Sequence, residues 1–169
     1  HYIVRAFSPD QGVIATLFED VTERRKSEQQ IRHMAYFDPL TDLPNRTLFF
    51  DRLNQAIAAA NREQARLAVL FLDLDHFKPV NDTGGHAAGD ALLRVVADLI
   101  RARLRLEDTV CRIGGDEFAL ILRGCTPDAA ARIADDLCAA VRDLRFEWEG
   151  REYRIGASIG FAMIDGGLV

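Results

Sequence analysis

Carboxylates at the ends of apolar segments are the residues of this chain best suited to chemistry. Asp73 closes the apolar run Leu67–Leu72, and Asp116 and Glu117 follow the double glycine Gly114-Gly115. If the strands that carry them are neighbours, these acids repel and raise one another's pKa unless a cation lies between them. A few hard oxygen donors suit magnesium, or manganese in its place, which keeps water ligands and completes its shell with substrate phosphates. The paired glycines remove side chains from the turn and let the backbone come close to a ligand. The bland alternative is that strand-end acids are merely solvated and Gly-Gly is an ordinary hairpin turn. The residue types alone leave both readings open.

The flanking pattern predicts the elements that would position these acids. Asp38–Arg46 is punctuation with Pro39 and Pro44, and Asn45 predicts a helix cap. Leu48, Phe49, Leu53, Ala56, Ile57 and Ala60 then recur at helical spacing. Leu67–Leu72 reads as a buried central strand, Asp75–Gly89 as a loop, and Leu92, Val95, Val96 and Leu99 as one face of a helix. Val110–Ile113 and Phe118–Leu122 read as a tight hairpin around the double glycine. Thr126 caps and Pro127 opens a helix carrying Ile133, Leu137 and Val141. A last hairpin joins Phe146–Trp148 to Tyr153–Ala162 with its turn at Gly150. The core order is strand, helix, hairpin, helix, strand, which is the split βαβ arrangement of ferredoxin-like α+β sandwiches with a central antiparallel sheet.

Ahead of this core, Tyr2–Phe7 and the stretch from Gly12 to Phe18 read as two strands around a Ser8–Gly12 turn. Two strands alone are not independently stable, so this hairpin is expected to belong to a larger sheet. Residues 21–37 are charged and rich in helix formers, with too few apolar positions to define a heptad. They read as a solvated connector helix, with a weak signalling coiled coil as the alternative.

Composition narrows the classes. The 169 residues are 49% hydrophobic, too apolar for a disordered chain. No apolar run approaches the roughly 20 residues of a membrane helix, so no membrane contact is expected from this stretch. A net charge of -5 argues against a general nucleic-acid binder, which needs a basic face. The three cysteines are odd in number and far apart, neither a zinc quartet nor a disulfide set. That fits a reducing cytoplasm and leaves membrane attachment upstream open. A start at His1 rather than Met reads as a piece of a longer chain.

Gly114-Gly115-Asp116-Glu117-Phe118 resembles the signature of the GGDEF family, the diguanylate cyclases. A chance match to five fixed residues in a chain this long is on the order of 10⁻⁴. Phe71-Leu72-Asp73-Leu74-Asp75-His76-Phe77-Lys78, followed by Asn81-Asp82, Gly85-His86 and Gly89-Asp90, resembles the family's second motif at its usual spacing, and Asp38–Arg46 resembles its opening motif. The resemblance places a GGDEF domain over 38–169. Residues 1–20 resemble the last strands of a PAS sensor domain, and 21–37 its connector helix, with Asp20–Arg24 as the junction. Ala157–Ala162 resembles the family's late core strand. The family's final helix, with a lysine and an arginine reaching the terminal phosphates, and its closing strand are expected to lie beyond Val169, so the 169-residue piece is expected to turn over poorly.

The resemblance implies condensation of two GTP molecules into cyclic di-GMP with release of two pyrophosphates. Asp73 and Asp116 with the carbonyl of Leu74 would hold magnesium or manganese, and Glu117 would complete the metal shell or orient the site. Backbone amides around His76 and Phe77, with Lys78 and the Gly114-Gly115 turn, would cradle the phosphates. Asn81 and Asp90 would read guanine: a carboxylate accepts from both N1–H and the exocyclic amine, and an amide pairs with the acceptor edge. Arg105-Leu106-Glu107-Asp108 resembles the family's inhibitory product site, through Arg105 and Asp108. One domain binds one GTP, so the resemblance also implies a homodimer. The alternative function is a catalytically weak module that binds GTP or cyclic di-GMP to regulate an adjoining phosphodiesterase domain. A cyclase acting on ATP is disfavoured by Asn81 and Asp90 together. Arg112 reads as a local packing or pairing residue, and Cys111 as a buried, inert thiol.

Overall fold

The computed structural model describes residues 2–10 and 13–167. They fall into two compact units divided after Ala35. In the first, β1 (Tyr2–Asp10) and β2 (Val13–Asp20) form an antiparallel pair that runs further toward its turn than the sequence predicted, and α1 (Thr22–Tyr36) follows. The tip, Gln11-Gly12, lies outside the described residues. Asp20 starts α1 by accepting from the Thr22 N–H at 2.9 Å, and hydrogen bonding with Thr22 holds its carboxyl below the ordinary range.

The second unit begins with α2 (Arg46–Glu63), capped as expected by Asn45, whose Oδ1 accepts from the Leu48 N–H at 3.1 Å. Then come β3 (Arg66–Asp75), α3 (Phe77–Arg101), β4 (Thr109–Gly114), β5 (Glu117–Arg123) and α4 (Pro127–Asp143). The short strands β6 (Phe146–Trp148) and β7 (Arg151–Tyr153) precede β8 (Gly156–Asp165). The central sheet has the order β4-β5-β3-β8, antiparallel at every pairing. This is the α+β sandwich the sequence predicts, with β3 in the interior of the sheet.

The two-residue period of β3 divides the core. Ala68, Leu70, Leu72 and Leu74 pack into one layer with Leu92, Val96 and Ile100 of α3 and Leu137 and Val141 of α4. Leu67 and Val69 face the other way, against Phe49, Ala56 and Ala60 of α2. The cover given by α2 thins toward the end of β3. Phe71 on that face touches Phe49 edge-on but is 55% exposed, and Asp73, two residues on, is exposed. Fading cover brings a charged residue to the surface at the end of an otherwise buried strand.

Two expectations need correction. The segment Asp75–Gly89 is not a loop. It is helical from Phe77, interrupted only at Gly85 (φ 77°, ψ 169°). Polar residues and three glycines hid it, although Pro79 is harmless in a first turn. The run Tyr153–Ala162 is likewise not one strand. Arg151–Tyr153 pairs with Phe146–Trp148 in a separate two-stranded sheet, and β8 starts afresh at Gly156 to pair with β3. Glu149 (φ 50°) and Gly150 (φ 78°) make the tight turn there, at the position expected.

Cys111 is fully buried, and burial pushes its thiol up to about 12. It is therefore expected to resist a thiol-specific chromogenic reagent at pH 8 in the native state and to react once urea unfolds the chain. Fast labelling of Cys111 in the native protein, located by mass spectrometry, would contradict this.

Candidate functional site

Strand register brings the predicted acids together. Asp73 stands opposite Glu117 on β5 and opposite Ser158 on β8, and the Leu74 N–H donates to the Asp116 carbonyl at 3.3 Å. Asp116 therefore sits in the β4–β5 turn beside the end of β3, half-buried, with Asp73 and Glu117 exposed. Gly115 adopts φ 50°, a conformation that costs a glycine little. Desolvation, and then the Asp116 and Asp75 carboxylates, raise the Asp73 carboxyl above its ordinary value. Asp75 accepts from the Ser158 hydroxyl at 2.9 and 3.2 Å.

These groups fit a hard divalent cation of the kind that borrows ligands from its substrate. Among the described residues no three His, Cys, Asp or Glu side chains converge as a closed metal cage. Two adjacent carboxylates, one of them raised partly by the charge of the other, are what magnesium uses together with substrate phosphates and water. Asp73 and Asp116 would hold such an ion, with the Leu74 carbonyl and Glu117 nearby in sequence.

The residues expected to cradle phosphates follow β3 directly. His76 takes a left-handed conformation (φ 64°) that turns the chain from β3 into α3, so the first turn of α3 begins beside the acids. Phe77 is half-buried and Lys78 is exposed on that turn. A cavity of about 640 Å³ opens here, lined by Asp73, Leu74, Asp75, His76 and Gly156 together with Arg142 and Arg154. Neither arginine was singled out from the sequence, and their distance along the chain gives no local signal. Asn81 and Asp90 lie on the two sides of the Gly85 interruption, Asn81 half-buried with its amide against Gly89 and Asp90 exposed.

Arg112 is more than a local pairing residue. Its guanidinium meets both carboxylate oxygens of Asp38 at 2.9 and 3.0 Å, and donates to the Gly115 carbonyl at 3.0 and 2.7 Å. One side chain thus ties the opening motif to the glycine turn that presents Asp116. Burial works against ionisation of Asp38, but hydrogen bonds from the Thr41 hydroxyl, Arg112 and the Thr41 N–H outweigh it and hold the carboxyl below its ordinary value. A basic residue inside a short strand, just before a glycine turn, was the available signal.

Arg105 and Asp108 lie away from the strand-end acids. Asp108 accepts from the Arg105 N–H at 3.1 Å and the Arg123 N–H at 3.3 Å, so it first shapes its own turn. The Arg105 side chain is mostly exposed, near Glu107. Arg105 and Asp108 share a cavity of about 270 Å³ with Arg52 and Arg101.

Residues 35–167 match the family described as diguanylate cyclase, GGDEF domain. The chain belongs to the GGDEF family. It is 47% identical over 168 residues to the probable diguanylate cyclase DgcE of Escherichia coli, covering 98% of this chain and 15% of that protein. It is 46% identical over 145 residues to MucR of Pseudomonas aeruginosa, a bifunctional diguanylate cyclase and cyclic di-GMP phosphodiesterase, covering 86% of this chain and 21% of MucR. Among solved structures, the coiled coil and GGDEF domain of DgcB from Caulobacter crescentus in complex with cyclic di-GMP superposes with a TM-score of 0.78 at 32% identity, over 88% of this chain and 79% of that one. The GGDEF domain of TpbB from Pseudomonas aeruginosa superposes at 0.70 with 45% identity, over 75% and 74%. The chain spans only 15% of the length of DgcE and 21% of that of MucR.

Proposed function

We propose that this GGDEF domain condenses two GTP molecules into cyclic di-GMP and releases two pyrophosphates. In each half-reaction the 3′-hydroxyl oxygen of one GTP attacks the α-phosphorus of the other. A new P–O bond forms, the bond from the α-phosphorus to the bridging oxygen breaks with that oxygen leaving on pyrophosphate, and the hydroxyl proton passes to solvent water. The observation that carries this reading is the register that sets Asp73, which lines a cavity with Leu74, Asp75 and His76, beside the Asp116 turn. A divalent ion, which Asp73 and Asp116 would hold, would supply charge neutralisation for the departing pyrophosphate and acidify the attacking hydroxyl.

The chain's own residues do the rest. Asp73 and Asp116 would hold the ion, with the Leu74 carbonyl, and Glu117 would complete or orient that shell. The backbone around His76 and Phe77, the Gly114-Gly115 turn and the Lys78 ammonium receive the phosphates. Asn81 and Asp90 read the base. Radiolabelled GTP given with magnesium to the full-length protein is expected to yield cyclic di-GMP and two pyrophosphates per product. If GTP binds without turnover, the regulatory reading replaces this one; degradation of added cyclic di-GMP would instead reveal a phosphodiesterase in the same chain, as in MucR.

Because one domain offers one such site, two protomers must face each other with their nucleotides antiparallel. Residues 21–37 would hold them so, as a connector following the last strands of a PAS domain in 1–20. The exposure of Ile31 and Met34 on α1 supports pairing through this helix. Full activity from a protein that light scattering finds monomeric would contradict the dimer. The setting is proposed to be cytoplasmic; among the described residues no helix is long and apolar enough to cross a membrane.

Cyclic di-GMP is proposed to inhibit at Arg105 and Asp108, whose guanidinium and carboxylate complement guanine. Arg105→Ala is expected to raise the inhibitory concentration of cyclic di-GMP about tenfold or more, consistent with the loss of one charge-assisted contact, with the uninhibited rate unchanged. Unchanged inhibition in that variant refutes the assignment.

A further inference from the structure

The break in α3 brings two residues from opposite sides of it into contact. Gly85 departs from helical geometry, so the piece carrying Asn81 and the piece carrying Gly89 and Asp90 are no longer one rod. The Asn81 carboxamide rests directly on the bare Cα of Gly89. A methyl group there would overlap Asn81 Oδ1 and lie 2.9 Å from its Cγ and 3.1 Å from Phe77 Cζ. Gly89 is buried in the helical stretch after the break and does not use the left-handed backbone conformation. Backbone freedom therefore does not explain it, and in a helix interior alanine is ordinarily the better residue. What the position provides is room for one amide.

We infer that Gly89 is a specificity-determining position of the base pocket, a positioning residue that acts through Asn81. The inference rests on the reading of Asn81 and Asp90 as the guanine-recognising pair. Gly89 is the immediate neighbour of Asp90, so the surface against which the Asn81 amide lies is continuous with the backbone carrying the carboxylate. The two groups are thereby held in a fixed relation, as reading two edges of one purine requires. A Cβ at 89 would push the amide aside while leaving Asp90 on the same backbone. The pocket would keep its carboxylate and lose the aim of its amide. Such a change weakens guanine binding and narrows the preference for guanine over adenine without touching the strand-end acids.

Four forms of the full-length protein test this: the parent, Asn81→Ala, Gly89→Ala and the double variant. Calorimetry would give binding of a non-hydrolysable GTP analogue and of its ATP counterpart, and circular dichroism the thermal midpoint. Gly89→Ala is expected to weaken the GTP analogue about tenfold, the loss of one well-aimed polar contact, leave the ATP analogue unchanged, and raise KM more than it lowers kcat. Asn81→Ala is expected to do the same, and the double variant to bind no worse than Asn81→Ala, because residues acting as one unit are not additive. If Asn81→Ala binds GTP like the parent, the guanine reading itself fails. If Asn81→Ala weakens binding but Gly89→Ala does not, only the inference about Gly89 falls. It falls too if the double variant loses the product of the two single effects, or if Gly89→Ala weakens both nucleotides equally. Should Gly89→Ala unfold, the double variant decides alone, since truncation at 81 removes the overlapping amide and leaves only Phe77 Cζ, 3.1 Å from the methyl, to give way slightly.

Discussion

Asp116→Ala is expected to lower cyclic di-GMP synthesis by at least about a thousandfold, the scale of losing several kcal/mol of charge stabilisation at a transferring phosphoryl group. The thermal midpoint should hold within a few degrees. The Asp116 carbonyl that accepts from Leu74 belongs to the backbone and survives the substitution. Without a bound cation, removing this side chain even relieves the end of β3. The Asp73 carboxyl is raised by desolvation and by the Asp116 and Asp75 charges, so the native chain holds that proton more readily than the unfolded one. Its contribution to stability is complete at low pH and lost as pH rises through the raised value. At neutral pH the metal-free Asp73 carboxylate is thus a small burden on the fold, one that a divalent ion would lift. Magnesium should raise the thermal midpoint of the parent protein with a GTP analogue present and leave that of Asp116→Ala unmoved. Retained synthesis by a folded Asp116→Ala protein would overturn the catalytic reading.

Arg112→Ala is expected to cost about 2–3 kcal/mol of stability, because it strips charge-assisted hydrogen bonds from a shielded pair. The Arg112 and Asp38 side chains are only 13% and 17% exposed, so solvent does not screen them as it would a surface pair. The same variant should lose roughly ten- to a hundredfold in kcat, since the Gly115 carbonyl loses both its donors and the turn bearing Asp116 is freed. Arg112→Lys should recover part of the stability and little of the rate, because an ammonium cannot reproduce the fork that spans Asp38 and Gly115 together. The pH dependence carries a defined sign. Asp38 is held below its ordinary value, so its stabilisation is present above the unfolded aspartate range and vanishes as pH falls through the depressed native value. Urea unfolding between pH 3 and 7 should show a shallower acid limb in Asp38→Asn than in the parent. An unchanged limb, with Arg112→Ala stable and active, would show that the clamp does nothing.

The parts of the fold legible in the sequence were those whose patterns were local. The apolar run of β3, the Asn45 and Thr126 caps and the glycine turn between β4 and β5 each announce themselves within a few residues. The first half of α3 did not, because Asn81, Asp82, Thr83, Gly84 and Gly85 are all poor helix formers in isolation. Their helix is held by the tertiary contacts of Val80 and Phe77 with the core. The break at Gly85 is what sets Asn81 against Gly89, and that juxtaposition has no trace in spacing alone. Similarly, Tyr153 and Gly156 are three residues apart yet belong to different sheets, since Tyr153 is buried with Phe146 while Gly156 meets Asp75. The acids at the site were found by residue type and motif. The Arg112 clamp was not, because its partner Asp38 lies 74 residues away.

The most direct measurement is a crystal of the full-length protein soaked with manganese and a non-hydrolysable GTP analogue, with the metal located by its anomalous signal. The expected result is an ion bound by oxygens of both Asp73 and Asp116, at the roughly 2.0–2.2 Å of a hard divalent cation, with triphosphate oxygens in the same shell. An ion that touches neither carboxylate, or a triphosphate held elsewhere on the domain, would contradict it.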